Sequence, residues 1–255
     1  MKYSLKTHQG KRKDNQDYAG MFFNEKGLLL AVLCDGLGGH QAGDIASEMA
    51  VSQIGNAWEG TDFTAQDTYL VQNWLKEKIN KENSRIYEAA STYSDLEGMG
   101  TTLVASVILK ENVLFSNVGD SRAYIYFNNQ IELVTEDHSF VSELQRKGAL
   151  TDLEALNHYN RNALTRSLGV EGPVDVDFFK RLINKVDVIM LNSDGLSNAV
   201  SESEMLEILK QTDLSLEQRA ELLVNKAIEN EGSDNITVSL IDVNAASDHK
   251  VGEER

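Results

Sequence analysis

Two hydrophobic periodicities alternate along the 255-residue chain. Short stretches rich in β-branched and aromatic residues predict strands over 3–7, 18–24, 28–34, 101–109, 113–118, 122–127, 131–134, 174–181, 187–192 and 235–243. Tight turns separate the middle ones: Lys110-Glu111-Asn112, Gly119-Asp120-Ser121 and Asn128-Asn129-Gln130. Such turns predict an antiparallel meander, because a crossover between parallel strands needs a dozen or more residues. Longer stretches with apolar residues at three- and four-residue spacing predict helices over 44–58 and 66–91, with Ile54, Trp58, Tyr69, Trp74, Ile79 and Ile86 in the pattern. Two further helices, 203–211 and 216–230, precede the last strand, and Thr212-Asp213-Leu214-Ser215 between them reads as a helix stop followed by an N-cap. Antiparallel strand runs with helices in separate blocks imply an α+β layering and not a doubly wound sheet. The stretch 138–166 is amphipathic, mostly helical in pattern and interrupted by Gly148. It reads as an excursion from the sheet, either a mobile flap or a plain surface hairpin.

Composition narrows the class. With 41% hydrophobic residues and no low-complexity linker, the chain is expected to bury one large core as a single domain, 1–244, followed by a polar, disordered tail, 245–255. There are 24 Lys+Arg against 40 Asp+Glu, a net charge of −16. That field has the wrong sign for nucleic acid or an anionic membrane surface. The single cysteine, Cys34, excludes an internal disulfide and a Cys-ligated zinc site. It lies in an apolar strand and is expected simply to pack. The longest purely apolar run, 28–34, is far short of the ~20 residues of a membrane span. No leader-like segment precedes the first strand, so a cytoplasmic protein is expected, with a monomer as the default.

The most informative feature is where certain aspartates fall. The strand 28–34 runs into Asp35-Gly36, and the strand 187–192 is followed by Ser193-Asp194-Gly195. The strand 113–118 ends in Gly119-Asp120, the last strand is preceded by Asp234-Asn235, and the first is followed by Asp14-Asn15-Gln16-Asp17. Turn chemistry accounts for any one of these. Together they place carboxylates at the ends of apolar strands, where convergence would be strongly repulsive without a cation. An all-oxygen ligand set suits a hard divalent ion such as Mg²⁺ or Mn²⁺. The loop Asp35-Gly36-Leu37-Gly38-Gly39-His40 fails the dinucleotide fingerprint at Gln41, and it also fails the P-loop and EF-hand patterns.

Taken in order, these motifs resemble the metal-dependent type 2C (PPM) protein phosphatases. The resemblance rests on Arg12-Lys13-Asp14-Asn15-Gln16-Asp17, on Asp35-Gly36-Leu37-Gly38-Gly39-His40 with Ala42-Gly43 and Ala46-Ser47, and on Gly98-Met99-Gly100-Thr101-Thr102. It continues through Gly119-Asp120-Ser121-Arg122-Ala123-Tyr124, Asp137-His138-Ser139, Asn162 with Leu164-Thr165-Arg166 and Leu168-Gly169, Ser193-Asp194-Gly195-Leu196, and Gly232-Ser233-Asp234-Asn235-Ile236-Thr237. It implies a four-layer α-β-β-α sandwich of two antiparallel sheets flanked by helices, with a helical flap subdomain at about 138–166. It implies hydrolysis of phosphoserine and phosphothreonine in proteins by a hydroxide bridging two Mn²⁺ or Mg²⁺ ions, opposing a eukaryote-like Ser/Thr kinase. Asp35 would bridge both ions, the Gly36 carbonyl would complete one, and Asp194 and Asp234 would ligate the other. Asp120 with Asp194 would hold a third, weaker ion, Arg12 would bind the substrate phosphate, and Asp17 would hold water next to the metals.

The chain departs from the family pattern in places. Leu37 stands where some members carry a proton-donating His, which leaves protonation of the leaving alcohol to water at the metals. Lys11 replaces a small aliphatic residue, and Tyr159 replaces a Pro near the end of the flap. His40, Arg122 and Arg166 are read as structural rather than catalytic. A silent phosphoprotein-binding module on the same fold is the alternative reading, and the retention of Asp35, Asp194 and Asp234 argues against it.

Overall fold

The computed structural model describes residues 2–39 and 42–244. The predicted tail and His40 lie outside the described residues. Strands that are apolar on both faces have to be covered on both sides, and this decides the architecture. In β3 (Leu29–Leu37), Leu29, Ala31 and Leu33 enter one core while Leu30, Val32 and Cys34 enter another. β10 (Val188–Asn192) divides likewise, with Ile189 and Leu191 on one side and Val188 and Met190 on the other. The shared core lies between two sheets.

One sheet has the order β1-β11-β10-β7-β8, with β1 at Lys2–His8, β7 at Arg122–Phe127, β8 at Gln130–Leu133 and β11 at Ile236–Asp242. The other has the order β2-β3-β5-β6-β9, with β2 at Asp17–Phe23, β5 at Leu103–Ile108, β6 at Asn112–Val118 and β9 at Asp177–Leu182. All pairings are antiparallel, as the short turns require. Helices α1 (Ala42–Glu59) and α2 (Thr68–Thr92) cover the second sheet through Ile54, Trp58, Leu75 and Ile79. Helices α5 (Asp194–Ser197), α6 (Glu202–Leu209) and α7 (Leu216–Glu229) cover the first through Leu196, Met205 and Leu223. The expected four-layer sandwich is therefore the observed one. Ser215 caps α7 in a reciprocal arrangement with Gln218, which is the stop-and-restart signal read from the sequence.

Two details differ from expectation. The predicted strand 101–109 breaks at Thr102. A short β4 (Gly100–Thr101) pairs with Gly36 and Leu37, and β5 then continues beside Leu30–Leu33. The stretch 138–166 is less helical than its pattern. It holds only α3 (Phe140–Arg146) and α4 (Asp152–Leu156). Gly148 at φ 70 ends the first helical segment, and the Asn- and Arg-rich run before Leu164 forms turns instead of a third helical segment. At its base the excursion is tied to itself by a bridge between Ser139 and Leu164 and to β4 by a bridge between Thr101 and Leu168. Asn83 of α2 secures the return, accepting from the amides of Gly169 (2.8 Å) and Val170 (3.0 Å) and donating to the carbonyls of Val170 (3.0 Å) and Gly172 (2.7 Å). Among the described residues, no helix is long and apolar enough to cross a membrane.

Candidate active site

At one end of the sandwich the strand-end carboxylates meet. The register of β2 on β3 sets Asp17 opposite Asp35. The peptide around Asp35 is held from the β4–β5 break. Its N–H donates to Thr102 Oγ1 at 2.9 Å, and its carbonyl accepts from the Thr102 N–H and the Thr101 hydroxyl, each at 2.9 Å. The break in the strand thus serves to fix Asp35. Thr102 Oγ1 also lies 2.7 Å from the Ser121 hydroxyl, which joins Asp35 to the turn carrying Asp120.

Asp194 opens α5, two residues past the end of β10. Its Oδ2 accepts from Asn198 at 3.0 Å. The preceding Ser193 donates its hydroxyl to Asp17 Oδ2 at 2.7 Å and accepts the Thr237 N–H at 3.0 Å, knitting β2, β10 and β11 together. Gly195 lies so close to the Asn235 carbonyl that a Cβ would overlap it, and this brings Asp194 beside Asp234. Asn235 gathers the loop from Gln9 to Gln16. Its Nδ2 donates to the carbonyls of Gln9 (2.8 Å) and Asp14 (2.9 Å), and its Oδ1 accepts the Gln16 N–H at 2.9 Å. That loop presents Arg12, whose Nη2 donates to Asp234 Oδ2 at 2.6 Å. Gly36 is pressed against the Gly43 carbonyl and the Gln16 backbone, and its own N–H donates to Gln16 O at 3.0 Å. All seven residues singled out from the sequence thus gather at this end.

The electrostatics are those of crowded acids. Burial, then the nearby Asp194 and Asp234, push the Asp17 carboxyl up to about 7, against the pull of the Ser193 hydroxyl. Burial and Asp194 push Asp120 up to about 8, and burial and Asp234 push Asp194 up to about 6. Asp35 is raised well above the carboxylate range by burial first and by Asp17, Asp194, Asp120 and Asp234 in turn. Asp35, Asp120, Asp194 and Asp234 each keep an edge toward solvent while the protein closes around the rest.

Divalent cations fit this donor set. It is all oxygen, it is anionic, and the buried Oδ1 atoms of Asp17 and Asp194 accept no hydrogen bond, an arrangement that is expensive without an external partner. Among the described residues no three His, Cys, Asp or Glu side chains already stand at the spacing of a closed metal shell. The carboxylates are neighbours, and Arg12 offsets part of their charge. Cys34 is fully buried, its thiol raised by burial, and it packs as expected. Arg122 is a structural partner, forking onto Asp137 at 3.0 and 2.7 Å, and Arg166 pairs with Asp177 at 2.9 Å. The motifs named Thr102, Ser193, Asn235 and His138 without assigning them work. Asn198 lies outside the motifs, and its only sequence signal is its place four residues after Asp194 at the start of a helix.

The family profile described as Protein phosphatase 2C matches residues 6–230. The chain is 43% identical over 247 residues to the serine/threonine phosphatase stp of Listeria welshimeri, covering 96% of each. Its fold matches that of the serine/threonine phosphatase Stp1 from Staphylococcus aureus with a TM-score of 0.89 at 36% identity, covering 94% of each chain. It also matches the catalytic domain of the serine threonine protein phosphatase PstP in complex with 2 manganese ions, with a TM-score of 0.76 at 30% identity, over 94% of this chain and 97% of that one.

Proposed function

The chain belongs to the protein phosphatase 2C family, and from that premise we propose that it hydrolyses phosphoserine and phosphothreonine in proteins, using Mn²⁺ or Mg²⁺. Two core ions would be held by Asp35, the Gly36 carbonyl, Asp194 and Asp234, and a third, weaker one by Asp120 with Asp194. The observation that carries this reading is the convergence of strand-end carboxylates from both sheets, two of them with unpartnered buried oxygens, beside an exposed guanidinium. When bound, the cations acidify water into a nucleophile and offset the phosphoryl charge.

The rest falls to the chain's own residues. Arg12 stands at the rim of a cleft of about 360 Å³ lined also by Lys13, Asp14, Gln16, Gly38 and Asn235. Its planar fork suits two phosphoryl oxygens, and Asn235 keeps its loop in place through the Gln9 and Asp14 carbonyls. Asp17, fixed by Ser193, keeps one oxygen uncommitted and able to orient water. Leu37 offers no proton, so the leaving alcohol takes its proton from water in the cleft. In this reading residues 1–244 form the phosphatase domain with the flap at 138–166. The protein works in the cytoplasm as a monomer, opposing a Ser/Thr kinase. The net charge of −16 argues against polyanion partners.

The purified protein should hydrolyse an aryl phosphate and a phosphothreonyl peptide with added Mn²⁺, and EDTA should abolish both activities. Asp194→Ala should remove nearly all turnover from a protein that still folds. Hydrolysis that survives complete metal removal would overturn the mechanism.

A further inference from the structure

His138 belongs to a motif that neither the metal reading nor the phosphate reading uses. It is 2% exposed and lies at the base of the excursion, yet it reaches the turn before Asp120 twice. Its backbone N–H donates to the Gly119 carbonyl at 3.0 Å, and the Gly119 N–H donates back to His138 Nδ1 at 3.1 Å. Because Nδ1 accepts, the ring proton sits on Nε2, which points at Asp177 Oδ2 of β9 at 3.1 Å. Arg166 lies 3.3 Å from the same Nε2, but as a donor facing a donor its bond goes to Asp177 Oδ1 at 2.9 Å. Asp177 is thus held from two sides and fixes both the ring and its tautomer. The Gly119 carbonyl takes a second bond from Asn117 Nδ2 at 3.1 Å. At φ 107, with Thr102 against its Cα, Gly119 has a conformation other residues rarely adopt, so its peptide needs such restraint.

We propose that His138 is a positioning residue for Asp120: oriented by Asp177, it clamps both polar groups of Gly119 and so holds the neighbouring carboxylate beside Asp194 and Asp35. This rests on reading Asp120 as a ligand of the weaker ion. Burial, with Arg166 and Arg146 nearby, lowers the imidazole pKa and favours the neutral ring that the clamp needs. The clamp also joins two motifs far apart in sequence, because the His138 carbonyl accepts the Thr165 N–H at 2.8 Å. The segment entering the excursion, the segment leaving it and the Asp120 turn therefore meet on one residue.

Two substitutions separate positioning from packing. Asparagine places its amide oxygen near the position of Nδ1, so His138→Asn keeps an acceptor for Gly119. Glutamine reaches toward Nε2, so His138→Gln keeps the contact to Asp177 and loses that acceptor. Mn²⁺ titration by calorimetry and amide hydrogen exchange at Gly119 would be measured on both, on Asp120→Asn and on the parent, with a melt to verify folding. We expect His138→Gln to weaken the lowest-affinity Mn²⁺ step at least tenfold and to speed Gly119 exchange at least tenfold in the metal-free protein. His138→Asn should restore most of both. The proposal is overturned if the two variants match the parent in both measurements, or if they lose all metal steps equally. If Asp120→Asn leaves every Mn²⁺ step intact, the metal role of Asp120 is wrong; Gly119 exchange then judges the clamp by itself, and unchanged exchange in His138→Gln removes it.

Discussion

Replacing Gly119 by alanine should disable the cleft without touching a carboxylate. A Cβ there would lie 2.6 Å from Thr102 Cγ2, 2.7 Å from its Cβ and 3.2 Å from its Cα. Ordinary contact begins near 3.4 Å, so Thr102 would have to retreat by about 0.8 Å. Thr102 cannot move alone, because its hydroxyl holds the Asp35 N–H and the Ser121 hydroxyl while its own N–H holds the Asp35 carbonyl. Overpacking costs about 1–3 kcal/mol and a positive φ with a side chain about 1–2 more, so about 2–5 kcal/mol of stability is at stake. At about 2–4 °C per kcal/mol for a chain of this size, the melting temperature should fall by about 4–20 °C. A displacement approaching 1 Å at a reacting centre can cost about 10²-fold, so turnover at saturating Mn²⁺ should fall about 10- to 100-fold while circular dichroism at 20 °C remains native. Gly60 has nothing within 4 Å of its virtual Cβ, and Gly60→Ala is the control that should change neither quantity. A Gly119→Ala protein that melts within 2 °C of the parent and turns over within twofold would refute this chain of reasoning.

Asn235→Ala removes the side chain that gathers the Arg12 loop. KM for a phosphopeptide should rise about tenfold or more with kcat less affected, for a loss of about 1–3 kcal/mol per unsatisfied group, and steady-state kinetics checks the split. The metal-free protein should become less stable as pH rises. Asp17, Asp120 and Asp194 titrate at about 7, 8 and 6 when folded against 3.8 when unfolded, so the folded state holds more protons through that interval. Asp35, Asp234 and Arg12 face the same groups. Melts in EDTA should therefore fall from pH 5 to pH 8, and a rise over that range would contradict the crowding. Cys34→Ala should leave turnover within twofold, because the thiol only packs, while costing about 1–2 kcal/mol in a denaturant titration.

Much of the fold was legible because its strands are apolar in a way that leaves few options. β3 and β10 carry no polar face, so each has to be sandwiched, and the short turns dictate the antiparallel order. The carboxylates were legible for a related reason: a strand that must be buried gives up its first charged residue where it leaves the core. The supports of the site could not be read in the same way. Thr102 reaches Asp35 across 67 positions, Ser193 reaches Asp17 across 176 and Asn235 reaches Gln9 across 226, and no local pattern encodes such partners. The excursion misled for a different reason. Its amphipathic spacing is real, but α3 and α4 are only 7 and 5 residues long, and isolated helices of that length yield to turn chemistry.

The pairing of β1 with β11, Lys2 opposite Asp242, has a consequence during synthesis. Among the described strands β1 pairs with β11 alone, so it is made well before the neighbour it pairs with. At about 5–20 residues per second, roughly 12–48 s separate the two on the ribosome. Through that interval β1 is an orphan edge, and its composition suits the wait: Lys2 and Lys6 punctuate it, and Ser4 is its one buried residue. The same delay governs chemistry. Arg12 and Asp17 emerge early but Asp234 comes late, so a prematurely terminated chain has no completed cleft. Interrupted translation should therefore yield inert fragments, not an unregulated phosphatase.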